Sequence, residues 1–316
     1  MKRGTFGLFG FWMVLWVGVS WAAQVEVIEP AGNGEINWSR GIILAKGSGA
    51  PPKEAKNIAQ ARLMAERAAL VDARRNLLEV LKGVQVDSVT IVENFMVKSD
   101  EIRLHVEGFI QGSVELKDRR KYLSDGAIEV TVAMNLSGDF LALILKSPKE
   151  IAPAEPAAAD KPAPETIPIS EKKKGEALSA ESAPQFEEKR PPAAKPLPPL
   201  ADLAKFTGLV IDTRGLNFRA ALIPKVLGGS GRELYQGQYV PGDKAAQNGL
   251  ALYSKDLTAA QTNPRVGKNP LTVKGLKVDS KSPSDIILKD EDVNRIAPFA
   301  QKGTFLEECR VMIVVD

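Results

Sequence analysis

The sequence predicts an α+β protein: a two-layer α/β N-terminal domain with a long helix on an antiparallel sheet, a disordered linker, and a second small α+β domain. Three observations predict it. Residues 53–82 run without Gly and without Pro and are dominated by Ala, Leu, Arg and Glu, all strong helix formers. Residues 102–117 and 128–136 alternate apolar and polar side chains at period two, as a half-buried strand does. Residues 148–200 hold twelve of the 21 prolines and a single aromatic residue, Phe186, too little apolar surface to offset the cost of ordering.

The helix is expected over roughly 52–82, with Pro52 near its first turn and Gly83 as a left-handed cap. Met64, Val71 and Leu78 recur every seven residues, as do Leu63, Leu70 and Leu77. With Leu81 and Ala68 they form the apolar stripe expected to face the core. Ala61, Ala65, Ala68, Ala69 and Ala73 keep the surface thin, so that another element can approach closely. Such a helix is not stable alone, and the residues after it are expected to cover it.

That cover is read as strands. Residues 41–47 give a short strand and residues 84–95, rich in β-branched side chains, a second. The alternation from Ile102 to Leu116 predicts a long strand, paired across Ser124-Asp125-Gly126 with Ile128–Leu136. A three-residue loop with Gly126 left-handed keeps both apolar faces on one side. It pairs Tyr122 with Ile128 and Leu116 with Met134, with the tip extended into water or bulged. A short helix, about 137–146, closes a domain of residues 23–147.

The linker, residues 148–200, could separate its ends by roughly 40 Å as a flexible coil. In residues 201–316, Thr207–Asp212 and Arg310–Asp316 read as strands buried on both faces. Leu271–Val278 reads as another strand. Asp290 is expected to cap a helix ended by Pro298.

The first residues give an address. Lys2 and Arg3 precede the uncharged run Phe6–Val19, and Ser20-Trp21-Ala22 supplies small residues for cleavage before Ala23. This is the layout of a secretory signal peptide, residues 1–22. The alternative is an uncleaved anchor, since residues 4–25 carry no charge and just span a bilayer. Either way the chain is expected in the periplasm, touching the membrane only through this segment. Cys309 is the single cysteine, which excludes an intrachain disulfide and a thiolate metal cluster. It is expected as a small apolar filler at the start of a strand. The net charge is +3 with acid and base intermixed, which argues against nucleic acid as a partner.

The chemistry-bearing groups are few. His105 is the only histidine, so neither a Ser-His-Asp arrangement nor a histidine-based metal site is available. Gly228-Gly229-Ser230-Gly231-Arg232 lacks the lysine and context of a phosphate loop; a hairpin or irregular loop is expected. Asp212 and Asp316 each end an apolar strand. If those strands are parallel neighbours, the two carboxylates share an edge and could bind a cation, joined by Asp285, Asp290 or Asp292. Against that stands the ordinary use of aspartate as a turn former. At the hairpin tip, Arg119, Arg120, Lys121 and Tyr122 form a candidate contact surface, set against the plainer reading of a solvated basic turn. No cofactor is implied.

The stretch Ala61–Gly83 with Asp72-Ala73-Arg74 and Asn76-Leu77, followed by Val106-Glu107-Gly108 and Asp125–Val130, resembles the LPP20-like lipoprotein family. It is also similar to the N-terminal domain of the flagellar assembly protein T. The resemblance spans about residues 41–136. It implies a Gram-negative cell-envelope protein with a small α/β domain and no established catalytic residues. The lipid-bearing cysteine that the family name implies is absent here. The expected function is therefore a non-enzymatic, exported envelope protein acting as an assembly or scaffold module. The alternative is a ligand- or cation-binding protein or enzyme with its site around Asp212 and Asp316.

Overall fold

The structure is a computed structural model. It describes residues 25–146, 206–237, 240–279, 281–300 and 304–316. The signal segment and the linker expected above lie outside these residues. No helix among the described residues is long and apolar enough to cross a membrane.

The first lobe, residues 25–146, is a helical layer on a six-stranded sheet. The strands are β1 (Ile28–Ala31), β2 (Gly34–Asn37), β3 (Ile42–Gly49), β4 (Val114–Glu115), β5 (Lys121–Tyr122) and β6 (Ile128–Asn135). Their order is β1-β2-β3-β6-β4, with β5 also on β6, and every pairing is antiparallel. The β1–β2 hairpin went unread in the sequence, although Gly32-Asn33-Gly34 marks its turn and Gly32 is left-handed at φ 52°.

The long helix is α1 (Ile58–Lys82). It starts at Asn57, whose side chain accepts from the Gln60 N–H at 2.8 Å, so Pro52 lies outside it. Gly83 closes it at φ −79° rather than left-handed. Its buried face is Ala65, Ala69, Ala73, Leu77, Val80 and Leu81. The heptad-spaced ridge expected in the core points outward instead: Met64 is 43% exposed and Val71 61% exposed. Leu70 and Leu78 are half-buried, and only Leu77 and Leu81 of the expected stripe are fully covered.

The reason lies on β3. A Cβ on Gly47 would sit 2.0 Å from the Ala73 nitrogen, and one on Gly49 would sit 2.2 Å from the Ala65 carbonyl oxygen. The helix backbone rests directly on the strand, an approach that only alanine facing glycine permits. Leucine at those helix positions would hold the layers apart, so the wide side chains take the outer side.

Beyond β2 the outer edge of β3 has no strand beside it, and α1 satisfies its backbone. The Asp72 carboxylate accepts from the Ser48 N–H at 3.0 Å, and the Asn76 amide donates to the Lys46 carbonyl at 2.7 Å. Spaced four apart, these side chains share one helix face and stand in for a neighbouring strand.

Two strands expected from the sequence are helical. Residues 84–91 form a tight loop in which Asp87 Oδ1 accepts from the Val89 and Thr90 N–H groups, and α2 (Val92–Lys98) follows. Residues 102–111 lie in α3 (Asp100–Gln111), capped by Ser99, whose hydroxyl accepts from the Ile102 N–H at 3.3 Å. Every second position of a period-two pattern is also spaced by four, so the alternation contained a helical face. Ile102, Val106 and Ile110 are buried, while Leu104 between them is 64% exposed. Tyr122 pairs with Ile128 and Gly126 is left-handed at φ 82°, as expected. A 3-10 turn, Lys117–Arg119, is inserted below the tip, so the Leu116 N–H meets Thr131 O at 2.8 Å rather than pairing with Met134. Helix α4 (Asp139–Lys146) packs Phe140 edge-on against Phe109.

The second lobe, residues 206–316, has two four-stranded sheets. One is wholly parallel: β7 (Gly208–Asp212), β10 (Leu252–Ser254), β11 (Pro270–Lys274) and β14 (Val311–Val314), in the order β10-β14-β7-β11. As expected, β14 is buried throughout and β7 up to Asp212. The other is mixed: β8 (Lys225–Gly228), β9 (Glu233–Tyr235), β12 (Lys277–Asp279) and β13 (Ser282–Leu288), in the order β12-β13-β8-β9. The strand expected over 271–278 is thus split between β11 and β12. Helices α5 (Gly242–Asn248), α6 (Leu257–Gln261) and α7 (Asp290–Ile296) complete it. Asp290 lies inside α7, one residue past the cap position, Lys289.

The two lobes, read from the sequence as modules separated by a tether, pack into one continuous apolar core. The Leu222 and Ile223 N–H groups donate to Gln85 O and Val86 O at 3.0 and 2.7 Å. Trp38 meets Tyr253 edge-on at 5.7 Å, and Ser39 Oγ donates to Tyr253 O at 2.6 Å.

Gly47→Ala and Gly49→Ala are each expected to destabilise by about 3 kcal/mol, because the layers must separate. Gly108→Ala, on α3 with nothing within 4 Å of the added carbon, should stabilise by about 1 kcal/mol. Denaturant unfolding of the three variants checks both signs, and a loss at Gly108 would speak against the helix.

Candidate functional site

The parallel sheet brings the sequence candidates to one edge. Ser254 pairs with Val314, Val314 with Asp212, and Asp212 with Lys274, so these four residues form one row at the carboxyl ends of the strands. This is the edge where open parallel sheets receive ligands. Asp212 and Asp316 therefore lie at the same edge, on parallel neighbours, the condition set for a cation site.

Both carboxylates already have partners. Arg214 donates to Asp212 from Nε at 2.9 Å and from a terminal nitrogen at 2.8 Å, a two-pronged pair. The Gly215 N–H donates to both Asp316 oxygens at 3.0 Å. Hydrogen bonding from Arg214 holds the Asp212 carboxyl below its ordinary range, and Asp256 and Asp316 add to the field that raises Arg214. The arrangement is an arginine held among three carboxylates, with Lys274 across the sheet. No group of three or more His, Cys, Asp or Glu among the described residues is arranged to hold a metal ion.

The other candidates disperse. Asp290 and Asp292 lie in the first turn of α7, where negative charge meets the free N–H groups, and Asp292 pairs with Arg295. Asp285 is buried at the contact between the lobes and accepts from Ser88 Oγ. Burial pushes its carboxyl up, against the opposing pull of Ser88 and Lys225.

At the hairpin tip each cation has a carboxylate of its own chain. Arg120 reaches Glu115 at 2.7 Å and Glu66 on α1 at 3.2 Å. Lys121 reaches Glu129 at 2.9 Å, and Arg119 lies 3.9 Å from Glu35. Arg62 stacks on the Tyr122 ring at 4.5 Å. These contacts tie the tip to the helical layer.

His105 is exposed as expected, but on α3, with Nδ1 2.8 Å from Glu101 O. The glycine-rich stretch closes the β8–β9 hairpin: the Gly228 N–H donates to Arg232 O at 2.7 Å and Gly231 is left-handed at φ 81°.

Sequence reasoning missed a cleft of about 750 Å³ between the lobes, lined by Trp38, Arg40 and Leu136 on one side and by Lys244, Arg265 and Arg310 on the other. Arg265 forms part of its wall. It donates to the carbonyls of Val311, Gly249, Asn248 and Leu250 at 3.0, 2.7, 2.5 and 3.3 Å, and burial lowers its basicity. Nothing around Asn263-Pro264-Arg265 in the sequence marks it. Glu308 on the rim faces Lys244 at 3.6 Å and Arg310 at 2.6 Å; with Asp243 it opposes Arg40, Lys244, Arg265 and Arg310, so the lining carries a net positive charge. Cys309 also lines the cleft and is fully buried, in a left-handed turn at φ 56° just before β14. Burial pushes its thiol up, which keeps it protonated and poorly nucleophilic.

Two carboxylates respond to pH with opposite sign. Asp212 has a depressed value when folded, so its pairing stabilises at neutral pH and is lost as pH falls through that value. Asp285 has a raised value, so stability falls as pH rises through it and the ionised form carries the cost of burial. Asp212→Asn is therefore expected to lower Tm at pH 7, and by less at pH 3. Asp285→Asn is expected to raise Tm at pH 7, with the gain shrinking in acid. Thermal unfolding at both pH values reads the two signs.

Residues 208–316 match the family model described as Treponema pallidum Tp0624, second domain. The match covers the second lobe and leaves the first outside it. No curated protein matches the chain.

Proposed function

We propose that the protein is a non-enzymatic, exported cell-envelope protein that serves as an assembly or scaffold module through its first lobe. The observation that carries this reading is an asymmetry of surface. Among the described residues, Leu276 is the only exposed large apolar side chain of the second lobe; all the others belong to the first. Met64 and Val71 on α1, Val97 on α2 and Leu104 on α3 all stand on the helical layer. Exposed apolar groups divided so unevenly between the lobes favour the first as the one that meets another molecule.

The leader-like segment of residues 1–22 supports export to the periplasm. The resemblance of residues 41–136 to LPP20-like proteins and to the flagellar assembly protein T supports the envelope and an assembly role, with protein partners rather than nucleic acid. A second reading is supported by the sheet edge: Asp212 and Asp316 lie at the carboxyl ends of neighbouring parallel strands, the edge where such sheets receive ligands.

A photo-crosslinking amino acid at Val97 or Leu104 is expected to give discrete products in cells, and the same group at Leu276 none. Silence at both helical positions, or products only from Leu276, would contradict the reading.

A further inference from the structure

The outward side of α1 carries a pattern that the fold uses only at its end, where Leu78 packs against the core. Met64, Ala68, Val71, Arg75 and Leu78 follow at spacings of four, three, four and three. They lie opposite the face that Ala69 and Ala73 bury on β3. Such spacing is the seam of a two-stranded coiled coil, with Met64, Val71 and Leu78 at d and Ala68 and Arg75 at a. Met64, Ala68, Val71 and Arg75 are exposed, and Leu78 is half-buried. Ala68 leaves a shallow depression between Arg67, Val71, Asp72 and Arg75, a hole of the kind that receives a knob.

The charges beside the seam select the occupant. One flank carries Arg67 and Arg74 at g, and the other carries Asp72 and Glu79 at e. In a parallel pair, each g position meets the partner's e position five residues on. Two copies of this helix then place Arg67 against Asp72, through the oxygen that Ser48 and Asn76 do not use, and Arg74, now on Gln111, against Glu79, now on Lys82. An antiparallel pair sets arginine against arginine and carboxylate against carboxylate, which repel. We propose that α1 is a self-association surface, and that a second copy of this chain docks on it in parallel.

The proposal rests on the reading of the first lobe as a contact module and names one of its partners. Arg75 in the seam limits the strength of the pair while fixing its register, as polar core residues do. The association is therefore weak, and covalent trapping is the suitable readout.

The test uses the purified full chain, whose own Cys309 is buried and is not expected to crosslink. In a parallel pair every seam position faces its own copy. Met64→Cys and Val71→Cys are each expected to form disulfide-linked dimers under mild oxidation, well above an off-seam control, Lys98→Cys. Arg67→Glu should reduce both several-fold. Dimers from only one of the two seam positions would indicate an antiparallel pair and overturn the proposal. Yields no higher than the control at both would overturn it as well. If the seam fails while photo-crosslinks persist at Leu104, the self-association is wrong and the contact-module reading stands.

Discussion

The first lobe depends on one close approach. Gly47 and Gly49 of β3 lie against Ala65, Ala69 and Ala73 of α1, with no side chain larger than a methyl between the two backbones. Dispersion falls off steeply with distance, so contact this close is dense and unforgiving. It fixes which way the helix is turned about its axis, and the rest of the lobe follows from that rotation.

With the alanine face down, Asp72 and Asn76 come level with the free edge of β3 and complete its hydrogen bonding. An open strand edge is a route to uncontrolled pairing, and these side chains close it. The same rotation sends Met64 and Val71 to the outside, where no neighbouring element covers them. A helix that exposes methionine and valine at heptad spacing forgoes burial it could have had.

Much of this architecture was legible in the sequence. The long helix, the β3 and β6 strands, the left-handed Gly126 turn, helix α4 and the buried β7 and β14 all follow from composition and period. The errors share a cause. Transfer energy grows with side-chain size and favours leucine for the buried face, whereas close packing against glycine rewards the smaller alanine. In α3 a period of two concealed a period of four, and the cap that would have separated them was Ser99, followed by Asp100 and Glu101. That Asp212 and Asp316 share a sheet edge was legible as a condition on strand direction. The capture of Asp212 by Arg214 was not, since it depends on how the turn after β7 folds back. The cleft between the lobes left no local trace, as its walls come from segments distant in the chain, Trp38 and Leu136 against Lys244 and Arg310.

The two lobes form one packed body joined through backbone hydrogen bonds at Gln85 and Val86 and through Trp38 on Tyr253, so a surface on the first lobe is held rigidly with respect to the sheet edge of the second. The glycine–alanine contact is tested most directly by native-state hydrogen exchange on the wild-type chain. The account predicts that the central amides of α1, from Ala69 to Leu77, and those of β3 exchange together, at one free energy and among the slowest in the first lobe. Exchange of α1 well before β3 would contradict it, because the strand would then be shown to hold without the helix resting on it.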